Sequence, residues 1–508
     1  MLKRENIFAA TLIALSFTLF RLSNFASPLV KNPDEADLLV ASIRASKNLI
    51  PYSGYTTTSY GYLWPLTLGM LGRIGLTLDF RTLHIACGII SILILIILYN
   101  LLATKTSKLL SFSISIISAV VWANQGFYPT IGIAALSTEI MPLLLITAAT
   151  YIYVRKPESL GVVLVLLGIA PWYKYQFLPL VLVIAATFIV TSGRREKQSV
   201  IYLWKWFFTP TALSILVFVV LGNFIVFLDE GLGTVVGHIV SIGFLERLLS
   251  TQRFYLTNIF FLLPALVLLP VAYHDWTNSL KGKFLSIHLV ALLTLQITPF
   301  FQDHYAYVLF AGSIASIAFL PSVTKKDNIG LTRFIAVLFG YLAIVYPVTA
   351  TVLGQPIRSK SSSSSFDLAI YPEKTLNFSL TKKSKALSEV CPPRSKVFVW
   401  GWTSEIYIIY RYVPVSRYII AYSLLNYSDP ARKKTLHDDL LRERPDCILD
   451  TTPASFFGQF PPSSKLTQQI PELEVYLKKN YVLDTALLTQ ADDQTEVWLY
   501  RKKNWIEE

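Results

Sequence analysis

At 508 residues the chain is long enough for several domains, but 53% hydrophobic residues, only 15% charged residues and a mean hydropathy of +0.50 exclude an ordinary soluble protein. The net charge of +13 could point to nucleic acid, yet many of the lysines and arginines sit in short loops between apolar stretches. That is the positive-inside signature, so the bilayer, and not nucleic acid, is the partner the charge implies.

The chain opens with Met1-Leu2-Lys3-Arg4 and an apolar run over 7–22, the pattern of a signal sequence. Phe25-Ala26-Ser27-Pro28 is a poor cleavage site, with proline directly following the small residues, and the segment reads as a retained anchor. Apolar stretches near bilayer-crossing length predict eleven transmembrane helices, at 6–23, 82–102, 109–124, 136–154, 159–171, 175–192, 206–228, 254–273, 284–300, 304–321 and 333–353. The fifth is expected to break at Pro171. Threading them alternately gathers Lys3/Arg4, Lys105/Lys108, Arg155/Lys156, Arg194/Arg195/Lys197/Lys205, Lys281/Lys283 and Lys325/Lys326/Arg333 on one side, which should be the cytoplasm. The expectation is a multi-pass inner or plasma membrane protein with a cytoplasmic N-terminus. Loops 24–81 and 229–253 and everything after the last span then face outward.

In the first outer loop, 36–45 has apolar positions at helical spacing and suits a helix lying in the membrane interface. Tyr52, Tyr55, Tyr60, Tyr62 and Trp64 follow, rings that favour headgroup depth. A second candidate interfacial helix is 242–249, with Glu246, Arg247 and Arg253 on its polar side. No convincing repeat crosses the hydrophobic region, which weakens an inverted-repeat transporter.

Residues 1–353 therefore form the transmembrane domain, 354–370 a polar serine-rich linker and 371–508 a small soluble α/β domain facing outward. In that last part, strands are expected at 396–400 and 447–450, helices at 403–411 and 471–479, and a closing hairpin from 481–487 and 496–501. The three cysteines, Cys87, Cys391 and Cys447, have no metal-ligand spacing; Cys391 and Cys447 could pair in an oxidising compartment or pack unpaired. Trp400, Trp402 and Tyr407 could stack on a saccharide or fill the core. The sequons at Asn377 and Asn426 read as incidental.

The chemistry-bearing run is Asn32-Pro33-Asp34-Glu35-Ala36-Asp37, which places carboxylates at a membrane face. Asp34 could take a proton from an acceptor hydroxyl as a general base, or it could cap the helix that follows. Glu139, in Thr138-Glu139-Ile140-Met141-Pro142, heads the fourth span on the same outer face, as a dipole-complementing acid or, with the first acids, as an oxygen ligand for a divalent cation. Lys174, in Trp172-Tyr173-Lys174-Tyr175, could snorkel or meet a lipid phosphate. His304 and Tyr305 sit at another outer turn as an interfacial pair or as phosphate donors, and Arg247 and Arg253 are further candidates.

The order of these motifs resembles the GT-C glycosyltransferases: a first span, Asp34-Glu35-Ala36 in the outer loop, Thr138-Glu139 with Pro142, Lys174-Tyr175 after a short span, and Asp303-His304-Tyr305 before a late one. Within that superfamily it looks closest to bacterial relatives of the aminoarabinose transferase and the protein O-mannosyltransferases. Val397-Phe398-Val399-Trp400-Gly401-Trp402, with Glu405-Ile406-Tyr407 and Pro414-Val415-Ser416-Arg417-Tyr418, also resembles the C-terminal domain appended in such proteins. The resemblance implies transfer of a sugar, with inversion, from a polyprenyl-phosphate donor to a hydroxyl of a glycan, lipid or protein acceptor. It implies Asp34 as the base, Glu35 and Glu139 as supporting and metal-binding acids, and Lys174, His304 and Tyr305 on the donor phosphate. Two departures stand out: Glu139 replaces a frequent Asp, and Gln302-Asp303 stands before His304 without an obvious arginine. The competing class is a transporter or lipid flippase, which calls for polar residues near span midpoints, whereas the strong candidates here cluster at one face.

Overall fold

The computed structural model describes residues 4–26, 33–52, 55–56, 60–124, 138–192, 200–233, 283, 287–288, 306–319, 387–401, 403–419, 424, 430–451, 465–484 and 498–503. The chain divides into two compact units. One comprises Met1–Ser27, Leu83–Val217 and Ile239–Ile370, and the other Pro28–Thr82, Phe218–His238 and Tyr371–Glu508.

The first unit is helical: α1 (Arg4–Ala26), most of α4 (Phe80–Leu102), α5 (Lys108–Asn124), α6 (Ile140–Arg155), α7 (Leu160–Tyr173), α8 (Leu178–Ser192), α9 (Val200–Val220) and a later helix, Ala306–Ile317. Phe80–Leu102, Tyr175–Ser192 and Ile201–Val220 are long and apolar enough to cross a membrane, and Glu5–Leu19, Ile140–Arg155 and Pro157–Tyr173 are shorter apolar helices. Helices thus lie at the expected spans from 6–23 through 175–192 and at 304–321. The spans at 254–273 and 333–353 and nearly all of 284–300 lie outside the described residues, as does the second interfacial candidate at 242–249.

Two expected boundaries move. The helix expected at 206–228 runs Val200–Val220 instead, because Gly222 takes φ +70°, a left-handed turn that ends it. Pro171 does not break α7, which continues to Tyr173; a proline so near the C-terminus disturbs only the final turn. Gly168 lets α7 meet α9 at backbone distance: a Cβ there would stand 2.1 Å from the Phe207 carbonyl oxygen.

The second unit is built around a five-stranded sheet with β1 (Lys396–Trp400), β2 (Val413–Pro414), β3 (Cys447–Asp450), β4 (Tyr481–Asp484) and β5 (Trp498–Lys502) in the order β2-β1-β3-β5-β4. The β2-β1-β3 pairings are parallel and β3-β5-β4 antiparallel. Strand alternation sends Val397, Val399 and Leu449 to one face and Phe398, Trp400 and Ile448 to the other. The second face is covered by Leu436 and Leu440 of helix Pro430–Glu443 and by Leu473 and Leu477 of helix Glu472–Asn480. Trp400 is fully buried there, in the core and not on a sugar; Trp402 lies outside the described residues. Cys391 and Cys447 form a disulfide beside β1.

The first face carries α2 (Pro33–Lys47), through Val40, Ala41 and Ala45. A further helix, α3 (Leu63–Arg73), packs on α2 so closely that a Cβ on Gly69 would lie 2.8 Å from that of Ala45. A helix does run through the segment expected to be helical at 36–45, and its residues 35–42 are buried in protein. Tyr52, Tyr55, Tyr60, Tyr62 and Trp64 are buried too, with their rings packed in protein. Tyr52 packs against Tyr55, Phe218 and Phe227, and Tyr62 against Phe218 edge-on at 4.8 Å. Aromatic spacing in a single sequence does not distinguish a lipid-facing belt from a ring cluster closed by Phe218 and Phe227, more than 150 residues downstream.

Candidate active site

In the second unit Pro33 occupies the first position of α2, where its missing N–H costs nothing and its fixed φ suits a helix. Asp34 and Glu35 fall in the first turn and Arg44 and Lys47 in the last, each complementing the helix dipole. Asp34 is thus inside the helix and not the residue that caps it; Asn32 lies outside the described residues. Asp34 is half-buried, whereas Glu35 and Asp37 are buried.

Residues three apart share a helix face, so Asp34 is grouped with Asp37, and Glu35 points about 100° away. Tyr60 confirms the grouping. Its phenol is held well above the ordinary tyrosine range, first by burial and then by the carboxylates of Asp37 and Asp34, with Tyr55 and Tyr52 adding to the effect. Ser404 Oγ donates a short hydrogen bond to Asp37 Oδ1. The result is a carboxylate pair of unequal access beside a protonated phenol, with Asp34 the more open member. The sequence alone assigns Asp37, Tyr60 and Ser404 no role at this site, although Asp37 closes the acidic run and Tyr60 stands among the rings of the first outer loop. The i,i+3 spacing of the two aspartates was the available signal for Asp37, while Ser404 is 367 residues away and left no local one.

In the first unit Glu139 precedes α6 and Lys174 follows α7. Lys174 Nζ lies 2.7 Å from Glu139 Oε1, with both side chains 1% exposed. It also donates to Thr138 Oγ1 at 2.8 Å, and Thr138 Oγ1 donates to Glu139 Oε2 at 3.2 Å. Lys174 is buried, so the snorkelling alternative is overturned; its extended backbone (φ −153°, ψ 108°) turns the side chain inward between α7 and the turn Tyr175–Phe177. Glu139 is occupied by Lys174 and Thr138 and makes no side-chain cap of α6.

Further buried polar groups in the second unit fix its architecture. Tyr418 OH donates to Glu230 Oε1 at 2.6 Å, and Arg432 donates to Asp229 Oδ1 at 3.2 Å with its Nε 3.8 Å from Glu230 Oε2. This network ties the π-helical turn Phe227–Gly233 to the C-terminal region. Burial raises the Glu230 carboxyl, opposed by Tyr418 and Arg432. Glu405, at the start of helix Glu405–Ile409, is pushed up to about 7 by burial. An acid whose folded-state pKa is raised favours folding below its unfolded value, and that contribution is lost as pH rises through the folded one. Stability of the wild-type chain should therefore fall between about pH 4.5 and 7 by about 3 kcal/mol from Glu405. Glu405→Gln should flatten that slope in thermal melts; an unchanged slope would show that another group carries it.

His304, Tyr305, Arg247 and Arg253 lie outside the described residues. Among the described residues no group of three or more His, Cys, Asp or Glu side chains gathers to hold a metal. Glu35 and Glu139 belong to different units, and Glu139 is paired with Lys174.

No family profile matches the chain, and no curated protein does. Among solved structures, ArnT from Cupriavidus metallidurans bound to undecaprenyl phosphate matches with a TM-score of 0.51 at 10% identity, covering 97% of this chain and 97% of that one. The resemblance read from the order of the motifs is thus met at the level of the fold along nearly the whole chain.

Proposed function

We propose that this protein is a membrane glycosyltransferase that moves a sugar from a polyprenyl-phosphate donor to an acceptor hydroxyl on the outer membrane face. The observation that carries the reading is the end-to-end likeness to ArnT, whose solved structure holds undecaprenyl phosphate. Asp34, the accessible member of the acidic cluster, supports it. The Cys391–Cys447 disulfide supports an oxidising, extracytoplasmic compartment for the C-terminal region.

In the proposed reaction the acceptor oxygen attacks the anomeric carbon from the side opposite the phosphate. The new C–O bond forms as the bond to the lipid phosphate breaks, and the anomeric centre inverts. Asp34 takes the acceptor's proton and the departing phosphate keeps the bonding electrons. Asp37, held by Ser404, and the phenol of Tyr60 keep Asp34 oriented. Lys174, His304, Tyr305, Arg247 and Arg253 are the proposed partners of the phosphate. Lys174 would serve it by exchanging Glu139 for phosphate, so its charge stays compensated whether or not donor is bound. No step is routed through a metal.

Incubating the full-length protein with a panel of polyprenyl-phosphate sugars and candidate acceptors, with and without chelator, tests the reading. Release of lipid phosphate coupled to glycosylated acceptor is expected for at least one donor. Movement of labelled lipid across the bilayer without glycosyl transfer would replace it with a flippase.

A further inference from the structure

A second site in the C-terminal-containing unit lies at the other end of α2 from the acidic first turn. A cleft of 1130 Å³ opens between the end of α2, the segment Thr77–Arg81 and the C-terminal sheet region. Its cations are Arg44, Lys47, Arg81, Arg394 and Arg411, against one acid, Asp79. Asp79 is engaged at the start of α4, where its Oδ1 accepts from the Thr82 amide at 2.8 Å. Arg44 belongs to the wall, donating to the carbonyls of Pro414 at 3.2 Å and Ser416 at 2.6 Å. Lys47, Arg81, Arg394 and Arg411 are exposed at the rim and make no ion pair among the described residues.

Tyr55, Tyr407 and Tyr412 also line the cleft. Tyr407 OH accepts from the Val399 amide and Tyr412 OH donates to the Cys391 carbonyl. Tyr55 OH, on a residue 1% exposed, has no hydrogen-bond partner among the described residues. A buried phenol without a partner costs about 1–3 kcal/mol, a cost that a ligand oxygen in the cleft would remove. Arg394 and Arg411 both hold positive φ, at 73° and 56°, conformations that disfavour a long side chain and that glycine or asparagine would adopt more easily.

The surroundings name the ligand. Asp79, Phe80 and Arg81 lead into the helix Phe80–Leu102, which is long and apolar enough to cross a bilayer; read as a span, it sets this wall at the membrane end of the cleft. Just before it, Met70, Ile74 and Leu76 are exposed, Ile74 to 81%. Exposed cations that make no ion pair among the described residues, and a phenol beside an exposed apolar turn, match a lipid whose headgroup is anionic and whose chains are not.

We propose that this cleft binds the phosphate-bearing headgroup of an anionic lipid. The headgroup oxygens meet Arg394, Arg411 and the Tyr55 hydroxyl, and the chains leave along Met70–Leu76. Binding is measured on the full-length protein in neutral detergent, without any sugar donor, so the outcome does not depend on the transferase reading. The probes are short-chain phosphatidylglycerol, short-chain phosphatidylcholine and inorganic phosphate. Phosphatidylglycerol should bind about tenfold or more tighter than either of the others, and weaken as salt rises.

Arg394→Asn combined with Arg411→Asn removes two charges while keeping a residue tolerant of positive φ. It should weaken phosphatidylglycerol about tenfold without lowering the melting temperature. Tyr55→Phe should weaken it severalfold while leaving stability unchanged or raised, since a buried unpaired hydroxyl is lost. Equal binding of phosphatidylcholine, inorganic phosphate bound as tightly as the lipid, or unaltered phosphatidylglycerol affinity in both variants would overturn the proposal.

Discussion

Asp34→Asn is expected to lower sugar transfer by about 10²–10⁴-fold while the protein inserts, accumulates and melts almost as the wild type does. Asparagine keeps the shape of the side chain in the first turn of α2, and the loss of its charge from the helix dipole costs about 0.3–1 kcal/mol. It cannot take the acceptor's proton. Donor affinity should be unchanged, because the loss falls on the chemical step. Transfer near the wild-type rate in this variant would remove Asp34 as the base and leave it as a helix-stabilising acid. Asp37→Asn is the control: it retains an oxygen to accept from Ser404, and its effect should be smaller because Asp37 is closed off from an acceptor.

The second large effect is on stability. Lys174→Met should destabilise the first unit by about 3–5 kcal/mol, because Glu139 stays buried without the cation 2.7 Å away. Lys174→Met combined with Glu139→Gln should recover most of that loss, since the double variant buries no uncompensated charge. Thermal unfolding of the four proteins in one detergent measures the coupling. Additive losses would mean that the pair does not act as a unit. The double variant also separates structure from chemistry: if it is stable yet needs more donor, Lys174 serves the phosphate as well as Glu139.

Much of the architecture is legible in local sequence. Apolar runs such as 82–102 and 175–192 have one low-energy use in water or lipid, and the helices lie there. The near-continuous apolar runs in Lys396–Trp400 and Cys447–Asp450 likewise mark buried strands, because a strand between two covered faces must be apolar on both. Helix Pro430–Glu443 escaped notice, as its polar surface hides a narrow stripe made by Leu436 and Leu440. The helix Leu63–Arg73 was obscured by its tyrosine-rich approach, which reads as a membrane belt until Phe218 and Phe227 are brought against it.

The acidic run at Asp34 was conspicuous because carboxylates beside an apolar span are expensive and seldom without purpose. Its internal division of labour was not. Composition and spacing alone determined that the chain is a membrane protein, where most of its helices lie and which residues deserved attention, since hydrophobic length and periodicity are properties of neighbouring residues. Only the tertiary structure decided that Tyr60 accompanies Asp34 and Asp37, that Lys174 is buried against Glu139, that Cys391 joins Cys447 and that five cations meet in one cleft. These depend on the burial and approach of groups up to 367 residues apart, which the fold sets and no local pattern encodes.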